Sequence, residues 1–265
     1  MKIQEQIIQD FGVQWTRYQD SPGYYGSLDF LADVLGPLIA LPDLQGKKVA
    51  EIGSGTGRIV SMLLQAGAAH VTAVEPSRGF DVLVEHLKSY KDKVSFLNVE
   101  GDKIPQTNDN DYIFSIGVIH HIPQPEKVLK AIHGALRPGG KFFMWVYGKE
   151  NNGRYLSLAK FLRPLTTKLP HFVLVGITWI LFFFLKVYMQ AAKVLPLPLK
   201  DYLEGVLGKC SDHVIRLVIY DQLNPAYAKY YTKDEVVDLL NGGGLIDIKL
   251  YHRHNYSWSG VGRKP

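Results

Sequence analysis

Between residues 48 and 147, short apolar runs alternate with segments of helical periodicity, and this alternation limits the possible folds more than any other feature of the chain. The runs are 48–52, 70–74, 94–99, 112–118 and 141–147. Between them lie helical stretches at 58–65, stopped near Gly67, at 80–90, and at 126–136, which ends at Arg137-Pro138-Gly139-Gly140. Strands separated by helices of this length form right-handed βαβ units. The expected fold class is therefore α/β, with a doubly wound, mostly parallel sheet.

Four regions flank or interrupt this pattern. Residues 1–46 open on a helical stripe of Ile7, Phe11 and Trp15, followed by Tyr18, and are read as an N-terminal helical region. Residues 47–148 are the alternating core. Residues 149–227 are helix-like but interrupted at Pro164, Pro170, Pro196, Pro198 and Pro225. Regular elements resume in 228–265: Thr232-Lys233-Asp234-Glu235 reads as a capping box, its helix ends at Gly242-Gly243-Gly244, and 246–254 with 256–262 forms an antiparallel strand pair. The simplest organisation is one core carrying a helical insertion after its fifth strand.

Composition excludes several classes. The chain has 265 residues, 46% of them hydrophobic, 12% aromatic and 21% charged, which is globular rather than disordered. Cys210 is the single cysteine, so no disulfide framework exists, and a reducing, cytoplasmic location is expected. The start Met1-Lys2-Ile3-Gln4-Glu5-Gln6 lacks the apolar core of a secretory signal. The longest charge-free apolar stretch, 169–185, falls short of the roughly 20 residues a membrane span needs, so no transmembrane helix is expected.

The most informative segment is Glu51-Ile52-Gly53-Ser54-Gly55-Thr56-Gly57-Arg58, which follows a strand and opens a helix. Glycines there let backbone N–H groups approach a ligand beside the positive end of the helix. Glu75 ends the next strand, where an acidic side chain accepts hydrogen bonds from ribose hydroxyls. A dinucleotide fingerprint would place its third glycine at position 58, which is Arg58, and no Gly-Lys-Ser/Thr of a Walker loop is present. Glu51, an anion just before the loop, would repel a pyrophosphate and suit an ammonium.

Glu51-x-Gly53-x-Gly55-x-Gly57, Glu75, Gly101-Asp102, Gly117-Val118-Ile119-His120-His121-Ile122 and Leu136-Arg137-Pro138-Gly139-Gly140, in that order, resemble the class I S-adenosylmethionine-dependent methyltransferases. The resemblance spans about 47–148. It implies a Rossmann-like, seven-stranded sheet in the order 3-2-1-4-5-7-6, its last strand antiparallel, and S-adenosyl-L-methionine as cofactor. It further implies that Gly53, Ser54 and Gly55 line the methionine and ribose part, with Gly57 completing the loop. Glu51 then helps bind the methionine ammonium, Glu75 takes the ribose hydroxyls and Pro76 lies beside the adenine. Asp102 accepts from the adenine amino group, Lys103 supplies backbone contacts, and Gly117 comes close to the sulfonium. One departure is the short Gly-Asp-Lys-Ile-Pro stretch at 101–105, which puts Asp102 and Lys103 on a weaker footing than Glu75.

Methyl transfer demands alignment, and a base only where the acceptor must lose a proton. His120 and His121, at the end of the fourth strand, are the candidate catalytic bases; the alternative is that their rings pack within the fold. His252 and His254 could face the acceptor or serve the structure, and no carboxylate or cysteine lies at metal-ligand spacing beside them, so no metal is expected. Asn224-Pro225-Ala226-Tyr227 reads as a turn. The aromatic stripe at 7–18 is either a lid over the cofactor or core packing. The class opposed to an enzyme is a module that binds the cofactor without transferring from it.

Charge is uneven. Between 151 and 200 there are seven basic residues (Arg154, Lys160, Arg163, Lys168, Lys186, Lys193 and Lys200) and no acidic ones, flanking the apolar runs Phe172-Val173-Leu174-Val175 and 179–185. Such a stretch suits peripheral contact with an anionic membrane or a cap over a small or lipophilic acceptor. Runs rich in Leu and Phe make poor phosphate tracks, which disfavours a nucleic-acid partner.

Overall fold

The computed structural model describes residues 3–19, 23–153, 156, 166, 169, 171–224 and 226–265. Met1, Lys2, Arg154, Lys160, Arg163, Pro164, Lys168, Pro170 and Pro225, all weighed in the sequence, lie outside the described residues.

Seven strands form one sheet: β1 (Lys48–Ile52), β2 (His70–Val74), β3 (Val94–Leu97), β4 (Asn110–Ile116), β5 (Leu136–Tyr147), β6 (Ile246–Arg253) and β7 (Ser257–Arg263). Their order is β3-β2-β1-β4-β5-β7-β6, with β7 antiparallel to both neighbours and the first five strands parallel. This is the implied topology. β5 starts at Leu136, earlier than the expected 141: Leu136 pairs with Asn110, and after an irregularity the regular ladder with β4 runs on from Lys141.

Side chains alternate across the sheet and feed two cores. Val49, Phe114 and Phe143 point to the layer of α2 (Leu28–Leu35), α3 (Arg58–Gln65) and α4 (Gly79–His86). Ala50, Ile113, Phe142 and Met144 point to the layer of α5 (Pro125–Ala135) and α9 (Lys233–Gly242). Thr232 and Glu235 form the expected capping box at the start of α9. Helix α1 (Ile3–Arg17) packs near α4, over the ends of the strands.

Between β5 and α9 come α6 (His171–Val194), α7 (Lys200–Gly205) and α8 (Asp212–Leu223). α6 corrects the sequence expectation. Its 24 residues run on past Lys186, and Phe172–Val194 is long and apolar enough to cross a membrane by length and composition. A single lysine interrupts a charge-free run without ending a helix, since lysine is a good helix former.

Candidate active site

The order of the parallel strands reverses between β1 and β4, the place where doubly wound sheets open a crevice at the carboxyl ends of their strands. A cavity of about 660 Å³ lies there, and it has two chemically different halves.

The first half is built from strand-end loops. After β1 the chain turns through Gly53 and Gly55 with φ of +77° and +55°, a region few side chains tolerate. A Cβ on Gly53 would lie 2.4 Å from the Val118 side chain, and one on Gly55 3.2 Å from the Trp15 ring, so only glycine leaves this cradle open. Gly53 and Ser54 donate their N–H groups to the Val74 carbonyl at 2.8 and 3.0 Å. The buried Glu75 carboxylate accepts from Gly55 N–H at 2.7 Å and Ser77 N–H at 2.9 Å. It thus clamps the glycine loop, and a carboxylate's remaining lone pairs are available to a ligand. Glu51 is 1% exposed and faces the cavity, and its Oε2 has no hydrogen-bond partner. Burial pushes its pKa up to about 8.

Pro76, Asp102 and Gly117 also line the cavity. Lys103, one residue on, does not; its ammonium pairs with Glu100 at 3.1 Å on the surface. Gly57 opens α3 and leaves its space to Leu83 and Leu87, away from the cavity lining.

The second half is assembled from distant segments. His121 lines it, and its Nδ1 lies 2.8 Å from the Tyr227 carbonyl. A carbonyl only accepts, so the neutral ring carries its proton on Nδ1 and its lone pair on Nε2. Phe11 of α1 meets that ring edge-on at 4.8 Å. His120 is fully buried beside the rings of His121 and Tyr147 and is not part of the lining, so within the pair His121 is the one placed to meet a ligand.

Sequence reasoning missed the polar groups beside it. The Tyr147 hydroxyl, at the end of β5, donates to Asp221 at 2.7 Å and accepts from Gln222 at 2.8 Å. Gln14, buried on α1, donates to the other Asp221 oxygen at 2.9 Å, and Asn224 donates to Gln14 at 3.3 Å. Asp221, Gln222 and Tyr147 all face the cavity. Arg58 stacks 4.0 Å over Tyr25, while Arg253 is buried and paired with Asp33. Burial opposes charge on Asp33, yet hydrogen bonds and charge from His254 and Arg253 prevail and lower its pKa to about 2. Cys210 also lines the cavity, but burial pushes its thiol up to about 11 and leaves it inert.

His252 stacks on Trp258, His254 bonds to Asp33, and neither lines the cavity, so the expectation that they could face an acceptor is corrected. Among the described residues no group of three His, Cys, Asp or Glu side chains is gathered where a metal could bind.

Residues 50–142 match the family model described as a methyltransferase domain. Over 109 residues the chain is 28% identical to a tRNA U34 carboxymethyltransferase of Idiomarina loihiensis, covering 39% of this chain and 34% of that protein. Over 107 residues it is 33% identical to phosphoethanolamine N-methyltransferase 2 of Caenorhabditis elegans, covering 39% and 24%. Residues 50–142 therefore carry a methyltransferase domain of the class I S-adenosylmethionine-dependent kind. The chain spans about a third or less of the length of these curated relatives.

Solved structures of the family share the fold. Haemonchus contortus phospholethanolamine N-methyltransferase 2, in complex with S-adenosylhomocysteine, aligns with a TM-score of 0.55 at 16% identity, covering 96% of this chain and 58% of that one. A 1,6-didemethyltoxoflavin-N1-methyltransferase of Burkholderia thailandensis aligns at 0.50 and 16% identity, covering 89% and 76%. The residues of this methyltransferase fold fit the family's cofactor: the cradle at Gly53 and Gly55 stays open, and the orphaned carboxyl oxygen of Glu51 beside it suits a cation.

Proposed function

We propose that the chain transfers a methyl group from S-adenosylmethionine to a small or lipophilic acceptor. The observation that carries this reading is Glu51, a buried carboxyl facing the glycine cradle with an oxygen no protein group satisfies. An ammonium supplies the missing partner and favours the ionised carboxylate.

When bound, S-adenosylmethionine supplies a methyl group already activated as an electrophile. The chain's part is to hold and align. Glu51 takes the methionine ammonium. Gly53, Ser54 and Gly55 offer backbone, Glu75 takes the ribose hydroxyls, Pro76 backs the adenine, and Asp102 accepts from its amino group beside the Lys103 backbone. Gly117 borders the sulfonium. Across the cavity, Tyr147, Asp221 and Gln222 orient the acceptor's polar group. His121 Nε2 accepts a proton where the acceptor has one to lose, and His120 supports its ring. Phe11 and Trp15 on α1 act as a lid that keeps water from the reacting atoms.

The part shared with the tRNA enzymes is the cofactor-binding core, so their acceptor does not carry over, and the aromatic second half suits a small or lipophilic molecule better than a nucleic acid. The reading includes a cytoplasmic enzyme with a peripheral membrane contact through 151–200.

Isothermal titration calorimetry tests it. S-adenosylhomocysteine should bind with neither NAD nor ATP competing, and absence of binding would sink the proposal. Binding without consumption of S-adenosylmethionine across lipid and small-molecule acceptors would select the non-transferring module instead.

A further inference from the structure

The outward face of α6 is inverted for a helix in water. Exposed positions recur at three- and four-residue steps through Phe172, Gly176, Trp179, Ile180, Phe183, Phe184 and Val187, without a charge among them. Phe172 is 76% exposed, Phe183 64% and Phe184 63%, whereas the buried inner face carries the smaller Leu174, Thr178 and Ala192. A surface helix normally puts its largest apolar groups inside. Here the opposite face is already covered: Ala192 packs with Leu203, Leu207 and Ile215, and Leu174 with Tyr220 and Leu223. A contiguous apolar strip of this size marks an interaction surface.

Charge says what covers it. A twofold contact between copies would set α6 against α6, bringing together two helices whose only charged residues, Lys186 and Lys193, are basic. An anionic surface has the complementary sign. A membrane-spanning pose runs against the helix's own partners, since crossing would drag the Lys186–Asp212 ion pair and Arg216, which stacks 4.0 Å over Trp179, into hydrocarbon. At the headgroup level those same groups sit in their preferred place, with the aromatic ring below and the charges in water.

We propose that α6 lies flat in the headgroup layer of an anionic bilayer, its Phe, Trp and Ile face in the acyl boundary. The helix is about 36 Å long at the usual rise per residue, so it offers one extended footprint. α8, on which α6 rests, also carries Asp221 and Gln222 into the cavity wall, which sets the acceptor half one helix away from lipid. The inference deepens the membrane contact of the reading above and is independent of methyl transfer.

Vesicle flotation of the full chain tests it, with phosphatidylcholine vesicles against vesicles also containing phosphatidylglycerol. The chain should float with the anionic vesicles and at least about tenfold less with neutral ones at low salt. A Phe183→Ser/Phe184→Ser variant, changed only at exposed positions, should lose about tenfold or more of that partitioning while its S-adenosylhomocysteine titration stays unchanged. Equal indifference to both vesicles overturns the proposal, as does a serine variant that floats like the parent. A dimer that the serine variant dissolves would overturn it in favour of a second copy, and retention in membranes through alkaline extraction in favour of a spanning helix. Failure of the unaltered chain to bind either vesicle, with its cofactor titration intact, sinks this surface alone; vesicle binding without cofactor titration sinks the cofactor reading alone.

Discussion

The two halves of the cavity are made in different ways. The half proposed for the cofactor comes from loops that directly continue neighbouring strands: Gly53 and Gly55 after β1, Glu75 after β2, Gly117 after β4. Its hydrogen bonds tie one strand end to the next, so the sheet itself sets the geometry. The half proposed for the acceptor joins α1 to α8 through Gln14 and Asp221, and β5 to α8 through Tyr147 and Asp221, linking chain segments 207 and 74 residues apart. Rigid sheet ends suit a ligand common to a whole family; walls brought from separate helices can be rebuilt for one acceptor without disturbing the sheet.

If that division is real, substitutions in one half should leave the other half's ligand untouched. The largest effect is expected at His121. In a turnover assay, His121→Ala should lower the rate by about 10²–10⁴ for an acceptor that gives up a proton, with S-adenosylhomocysteine affinity retained. Near-normal turnover would reduce His121 to packing. Next comes Glu75→Gln, which should weaken S-adenosylhomocysteine by about 1.5–3 kcal/mol in titration calorimetry, the range for a hydrogen bond to a charged group. If acceptor KM moved as much as cofactor affinity, the halves would not be separate.

A third effect concerns stability in the absence of ligand. Glu51 has its pKa raised from 4.5 to about 8 by burial, so the native chain holds a proton that the unfolded chain releases. Its contribution is fully present below pH 4.5 and is lost as pH climbs to about 8. Urea unfolding should show stability falling over that window by at most roughly 1.4 kcal/mol per pH unit from this group, with Glu51→Gln removing that slope. An unchanged pH dependence in the variant would place the group's titration elsewhere.

The same division explains what could be read from the sequence. Gly53, Gly55 and Glu75 were legible as cavity-lining residues because each follows its strand at a fixed short distance, and the positive φ of the two glycines dictates their residue type. Asp221, Gln222 and Tyr147 carry no such mark, since nothing local to α8 says that it will face β5. His120 and His121 are adjacent in sequence, but the tight turn Ile119–His121 sends their rings into different surroundings. The length of α6 was lost by counting charge-free residues, because Lys186 reaches its partner Asp212 at the helix flank and lets the apolar face continue.

The orphaned oxygen of Glu51 has one more consequence. Near neutral pH its carboxyl enters the encounter protonated, and a methionine ammonium beside it favours the ionised form. Cofactor capture on the proposed assignment is therefore a proton-release event, approaching one proton per molecule taken up. The heat recorded in calorimetry then contains the heat with which the buffer absorbs that proton, and two buffers of unlike ionisation enthalpy will report different binding enthalpies for the same site.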